Sequence, residues 1–120
     1  MPEYSSKYNL EDRTLAFARD VRKFIRKIYK DIPNIEDSKQ LVRASGSIGA
    51  NYIEANEALS KKDFIMRIKI CRKEAKECSY WLKLISTGDN SSLEKERQSL
   101  LQESTELTNI FGAIYRKSDI

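Results

Sequence analysis

The apolar positions between Gln40 and Ile85 form two helical ladders joined by a short charged hinge. The first runs Leu41, Ser45, Ile48, Tyr52, Ala55, Leu59; the second runs Phe64, Ile68, Cys71, Ala75, Cys78, Leu82, Ile85. Each alternates steps of four and three, the period of a helix packed along its length against other helices. The first ladder is set in small residues (Ala44, Ser45, Gly46, Ser47, Gly49, Ala50), which predict close approach by a neighbouring helix.

Two more helices flank this pair. One opens near Asn9, with Asp12 three residues on as an approximate capping box, and carries Leu10, Phe17, Ala18, Val21, Phe24, Ile25 and Ile28. It is expected to stop before Ile32-Pro33-Asn34, because proline disfavours helix in the residue before it. The second helix then starts near Asp37 or Ser38. Ser60-Lys61-Lys62-Asp63 reads as a capping box opening the third, so the second ends near Leu59. Gly88-Asp89-Asn90-Ser91-Ser92 is the clearest loop, and Ser91 with Glu94 reads as the cap of a fourth helix built on Leu100, Leu107, Phe111 and Ile114, flanked by Leu101 and Ile110. The expected spans are about 10–31, 37–59, 61–87 and 92–117. Short connections make consecutive helices antiparallel, which gives an all-α, up-down-up-down four-helix bundle with the first and third helices diagonal. The first eight residues and the last few read as frayed tails.

Composition fits this picture. A chain of 120 residues with four glycines and two prolines reads as one domain and argues against a loop-rich or all-β fold. It can bury enough surface to fold without a disulfide or metal. The start Met1-Pro2-Glu3-Tyr4 lacks the marks of a signal peptide, and no apolar run is long enough to span a membrane, so the expected location is the cytoplasm. Cys71 and Cys78 lie two turns apart on one face, about 10 Å, too far for a disulfide; they read as small buried residues.

The net charge of +4 is unevenly spread. Leu10 to Lys30 carries seven basic and three acidic residues, and Ser60 to Thr87 eight basic and three acidic. Glu36 to Leu59 has two basic and four acidic, and Asp89 to Lys117 four basic and five acidic. The basic excess therefore sits on the first and third helices. Basic helix faces can neutralise phosphates, and with no base-reading motif any binding would be directed at the backbone and salt-dependent. Arg19, Arg22, Arg26, Lys69, Arg72 and Lys76 are the candidate phosphate contacts. The alternative is a solvated face, or one docking an acidic protein partner.

Catalytic constellations are weak. Glu54 with Glu57 and Glu74 with Glu77 have the i,i+3 spacing of di-iron carboxylate bundles, but those sites also use histidine and this chain has none. The same absence excludes a Ser-His or Cys-His nucleophile within one chain. Gly46-Ser47-Ile48-Gly49 has the wrong spacing for a phosphate loop and lies inside a helix. The chain reads as a non-enzyme without cofactor or metal, and a carboxylate-metal enzyme is the remote alternative. Asn51, Glu54, Glu74 and Glu77 read as a buried or interfacial polar network that fixes helix register. Tyr80 and Trp81 beside Leu82 point about 100° apart, so they cannot all face one core. With Ile53, these two are candidate subunit contacts.

Three patches in order carry a family resemblance: Ser47-Ile48-x-x-Asn51-x-x-Glu54-Ala55, then Ser60-Lys61-Lys62-Asp63-Phe64, then Lys73-Glu74-Ala75-x-Glu77-x-x-Tyr80-Trp81-Leu82. Over roughly residues 10 to 115 the chain resembles the bacterial four helix bundle protein family, also called the 23S ribosomal RNA intervening-sequence protein family. Tyr52-Ile53 departs from the Ile-Ala that the family tends to have there, which changes side-chain bulk on the second helix. The resemblance implies a protein encoded within a 23S rRNA gene or standing alone. It also implies kinship with the accessory proteins of diversity-generating retroelements, barrel-shaped homopentamers that bind a reverse transcriptase and nucleic acid through basic surface. It brings no catalytic residue. The expectation is therefore a homopentameric ring of bundles that binds RNA, DNA or a nucleoprotein partner, with a pure protein-interaction module as the alternative.

Overall fold

A computed structural model describes residues 9–119. They form four helices: α1 Leu10–Lys27, α2 Ile32–Asn56, α3 Lys61–Leu84 and α4 Ser91–Ser118. α2 packs along α3, α3 along α4 and α1 along α2, while α1 meets α4 more narrowly. Among the described residues neither α1 and α3 nor α2 and α4 are in backbone contact, so those pairs are the diagonals of an up-down-up-down bundle. The molecule is a slab of 47 × 33 × 19 Å.

Each helix begins on a side chain that accepts from an orphan backbone N–H. Asn9 accepts from the N–H of Asp12 at 3.1 Å and Ser60 from that of Asp63 at 3.0 Å, at the two starts expected from the sequence. The other two starts differ. α2 begins at Ile32, five residues before Asp37, and Asp31 caps it by accepting from the N–H of Asn34 at 2.9 Å. Pro33 therefore lies in the first turn of α2 rather than after the end of α1. The first turn has no intrahelical use for the N–H that proline lacks. α4 is capped by Asn90, which accepts from Leu93 N–H at 3.0 Å, and not by Ser91.

The ends also move. α1 stops at Lys27 and not near residue 31; Lys30 Nζ folds back to donate to the carbonyls of Ile25, Arg26 and Ile28. α2 stops at Asn56, where Glu57 and Ala58 close short turns onto Glu54 and Ala55, so Leu59 is fully exposed instead of continuing its ladder. α3 ends at Leu84, with Ile85 still buried, and Gly88 takes the left-handed φ of 61° that turns the chain toward α4. α4 stays helical to Ser118, so the C-terminal residues up to there are not a tail. The expectation for the first eight residues lies outside the described ones.

The ladders build the core. Leu41, Ser45, Ile48 and Ala55 of α2 and Ile68, Cys71, Ala75, Cys78 and Leu82 of α3 are buried, as are Phe17, Val21 and Phe24 of α1 and Leu100, Leu107 and Phe111 of α4. Tyr52 and Phe64 pack against this cluster from its edge. Tyr52 reaches across the diagonal to Phe111, edge to face at 5.6 Å between ring centres. Burial pushes both the Cys71 and the Cys78 thiol up to about 12, so neither is a reactive thiolate at neutral pH. α4 lacks an apolar residue at Ser104; its hydroxyl instead pairs with Ser79 at 2.6 Å and bonds Leu101 O at 3.0 Å.

Two contacts fix how the elements meet. At Gly49 an added Cβ would lie 2.9 Å from Thr14 Oγ1, so a bare Cα is what lets α2 approach α1. At one end of the bundle buried Asn34 staples two connections together. Its Nδ2 donates to Tyr29 O at 3.0 Å and to Ser86 O at 2.9 Å, and its Oδ1 accepts from Ser86 N–H at 2.9 Å.

Candidate nucleic-acid interface and contact faces

The basic side chains fall into two groups. Many are already engaged. Arg13 bridges α1 to α4, donating to Glu103 at 2.7 and 2.8 Å and to Glu106 at 2.8 Å; these bonds, Glu103 first, hold its guanidinium above its ordinary pKa against the opposing effect of burial. Lys27 pairs with Glu96 at 2.6 Å, and Arg97 with Glu94. Hydrogen bonds from Arg97, Gln98 and Thr87 pull the Glu94 carboxyl down to about 2.

Arg22, a candidate phosphate contact, is half-buried and latched across α1 and α2. It donates to Ala18 O at 2.9 Å and, more loosely, to Ser45 Oγ at 3.4 Å and Val42 O at 3.5 Å. Its guanidinium also lies 3.4 Å from where a Cβ on Gly46 would sit. This side chain joins helices more than it faces solvent. Arg19 and Arg26 on the same helix are exposed and make no ion pair with a described residue.

The second group is on α3. Lys62, Lys69, Arg72, Lys73, Lys76 and Lys83 are exposed, and none pairs with a carboxylate among the described residues. Lys69, Arg72, Lys73 and Lys76 follow the i, i+3, i+4, i+7 pattern of one face, which also carries Met66, Ile70 and Tyr80. Lys69 Nζ stands 5.8 Å from the centre of the Tyr115 ring, a cation–π approach to α4. Because α1 and α3 are diagonal, one subunit does not unite Arg19 and Arg26 with the α3 stripe.

The four expected network residues split into two contacts and one outlier. Glu74 is buried, and Arg43 reaches it with both terminal nitrogens at 3.4 Å and Glu77 at 3.3 Å, joining α2 to α3. The bond to Glu74 is the largest influence raising the Arg43 pKa. Asn51 donates to Ser47 O at 2.9 Å and accepts from Arg67 at 2.9 Å, again between α2 and α3. Glu54 is exposed and takes part in neither contact. Arg43 and Arg67 are the partners that the spacing of acidic residues alone did not single out. Among the described residues no three His, Cys, Asp or Glu side chains gather where a metal ion could sit.

The three candidate subunit contacts also separate. Ile53 is 50% exposed and shares an α1–α2 groove with Leu15, Ala18, Gly46, Gly49 and Ala50; Leu15 is 48% exposed. Tyr80 is exposed on the α3 stripe. Trp81 is half-buried against the core and packs edge to face on Tyr80 at 5.0 Å, so most of it is used within the subunit. No described helix is long and apolar enough to cross a membrane.

Residues 10–113 match the family model of the 23S rRNA-intervening sequence protein. A solved structure of a protein of unknown function from the S23 ribosomal protein family of Bacteroides thetaiotaomicron is similar in fold, with a TM-score of 0.73 and 36% sequence identity. The match covers 88% of this chain and 96% of that one. No curated protein matches the chain.

Proposed function

This chain belongs to the 23S rRNA-intervening sequence protein family, and on that footing we propose that it is a noncatalytic bundle that binds the phosphate backbone of RNA or DNA. The observation that carries the reading is the α3 stripe, where Lys69, Arg72, Lys73 and Lys76 line one face without carboxylate partners. Elsewhere Arg13, Lys27, Arg43 and Arg97 are neutralised within the fold. A row of unpaired cations is repelled by itself and relieved by a polyanion, with release of counterions on binding. The stripe carries no base-reading arrangement, so affinity exceeds sequence preference.

The test is binding of labelled single-stranded RNA and DNA across a salt series. Wild type should weaken steeply as salt rises. Replacing Lys69, Arg72 and Lys76 together by glutamine should flatten the plot of log K against log salt by about 2, since each phosphate that the variant leaves unneutralised removes about 0.7 from the slope. Undetectable binding at low salt overturns the reading and leaves a protein-interaction module, or a nucleoprotein partner such as a reverse transcriptase, as the role of this face.

A second reading concerns assembly. The α1–α2 groove sets exposed Leu15 and Ile53 on a floor of small residues, a shape suited to a second copy of the chain. Self-association there, as a pentameric ring in the manner that the family resemblance implies, would repeat the α3 stripe about an axis and add weak contacts by avidity. A single monomeric species in sedimentation at micromolar concentration rejects it.

A further inference from the structure

Gly112 sits near the end of α4, buried, at a helix-interior position where glycine is less favourable than alanine. Two arginine side chains lie over it. A Cβ there would lie 3.4 Å from Arg72 Nε and 3.6 Å from Arg72 Cδ, and 3.3 Å from an Arg116 terminal nitrogen. Two guanidinium groups, one from α3 and one from α4, thus converge on a single bare patch of backbone. Neither makes a hydrogen bond or ion pair with a described residue, and Asp119, one turn beyond Arg116, does not reach it. Lys69 stands one turn before Arg72, over the Tyr115 ring.

Like charges drawn together with no counter-charge are unfavourable unless an anion lies between them. The arrangement also differs from the rest of the stripe. Charges spaced along a helix meet successive phosphates, whereas two guanidinium groups lying over one residue can share one group with several oxygens and more than one negative charge. Guanidinium forks are the side chains best suited to such planar, multidentate contact.

We infer that Arg72 and Arg116, converging over Gly112 beside Lys69, form a discrete pocket for a terminal phosphate, the dianionic monoester at a strand end or free in solution. The strand-end form rests on the nucleic-acid reading above; the pocket itself does not.

The experiment compares a short oligouridylate labelled at its 3′ end and carrying a 5′-phosphate with its 5′-hydroxyl twin, and measures inorganic phosphate binding by chemical-shift titration. Wild type should hold the phosphorylated strand about tenfold more tightly, the worth of one charge-assisted contact pair. Arg116→Gln and Arg72→Gln should each erase that preference in a chain whose melting curve shows it folded. Equal affinity of wild type for the twins, with no shift at Arg72 or Arg116 on adding phosphate, overturns the pocket and leaves backbone binding standing. Shifts with inorganic phosphate but no binding of either strand keep the pocket and overturn its strand-end use. No binding of strands or phosphate overturns both. A preference that survives Arg72→Gln and Arg116→Gln also overturns the assignment, because the strand end is then read elsewhere.

Discussion

Replacing Asn34 tests how much of the bundle's stability rests on one polar side chain. Asn34 is 2% exposed and makes three side-chain hydrogen bonds, two as donor to Tyr29 O and Ser86 O and one as acceptor from Ser86 N–H. Its own backbone bond to Asp31 would survive substitution. Asn34→Ala leaves three backbone groups without partners, at about 1 kcal/mol each, so about 3 kcal/mol of stability should go. For a chain of this size that corresponds to a fall in melting temperature of roughly 12 °C. Thermal melts followed by far-ultraviolet circular dichroism read it directly. Asn34→Asp sharpens the test. At neutral pH a carboxylate would face two carbonyl oxygens, so this variant should melt below Asn34→Ala. Its folded-state pKa would lie above the unfolded value of about 3.9. The folded form then binds more protons, so stability should be regained as pH falls through the raised pKa, the reverse of an ordinary paired aspartate. An Asn34→Ala shift under about 3 °C, or an Asn34→Asp variant that does not recover in acid, refutes the staple.

Three further substitutions probe the helix contacts. Gly49→Ala should destabilise by about 1–2 kcal/mol, because the clash with Thr14 outweighs the gain in helix propensity. Gly46→Ala meets only the movable tip of Arg22 and should be neutral or stabilising by up to about 1 kcal/mol. Equal melting temperatures for these two glycine variants would show that α1 can give way. Glu74→Gln should cost about 1 kcal/mol in melts, a modest figure because Arg43 is 53% exposed and its bonds to Glu74 are long at 3.4 Å; no change in melting or assembly would show that contact to be idle.

The core was legible because its period is strong. Leu41, Ile48, Ile68, Ala75 and Leu82 fell on the buried side as their spacing requires. The boundary between α1 and α2 was not, because Ile32-Pro33 is compatible both with ending one helix and with starting the next. Asp31, which decides between them, acts through a cap that its own position does not advertise. The basic side chains show the same limit from another side. Arg22 and Arg72 look alike along the sequence, yet one is latched to α2 and the other lies over a glycine on α4. Which partner a long side chain finds depends on the neighbouring helix, and no periodicity within its own helix encodes that. Ser104 could have flagged itself as a gap in the α4 ladder, but Ser79, its partner, sits on a different helix.

The narrow seam between α1 and α4 makes the bundle uneven in how it opens. Arg13 and Lys27 span that seam to Glu103, Glu106 and Glu96 with partly exposed ion pairs, while α3 packs along its length on both α2 and α4. Ionic strength screens the first kind of contact far more than the second. α1 is therefore expected to be the first unit to open, and its amides should be the first to exchange with deuterium, sooner still in concentrated salt. An α1 that opens first would set the order of events under stress: a three-helix remainder would outlast it, with the face of Phe17, Val21 and Phe24 no longer buried.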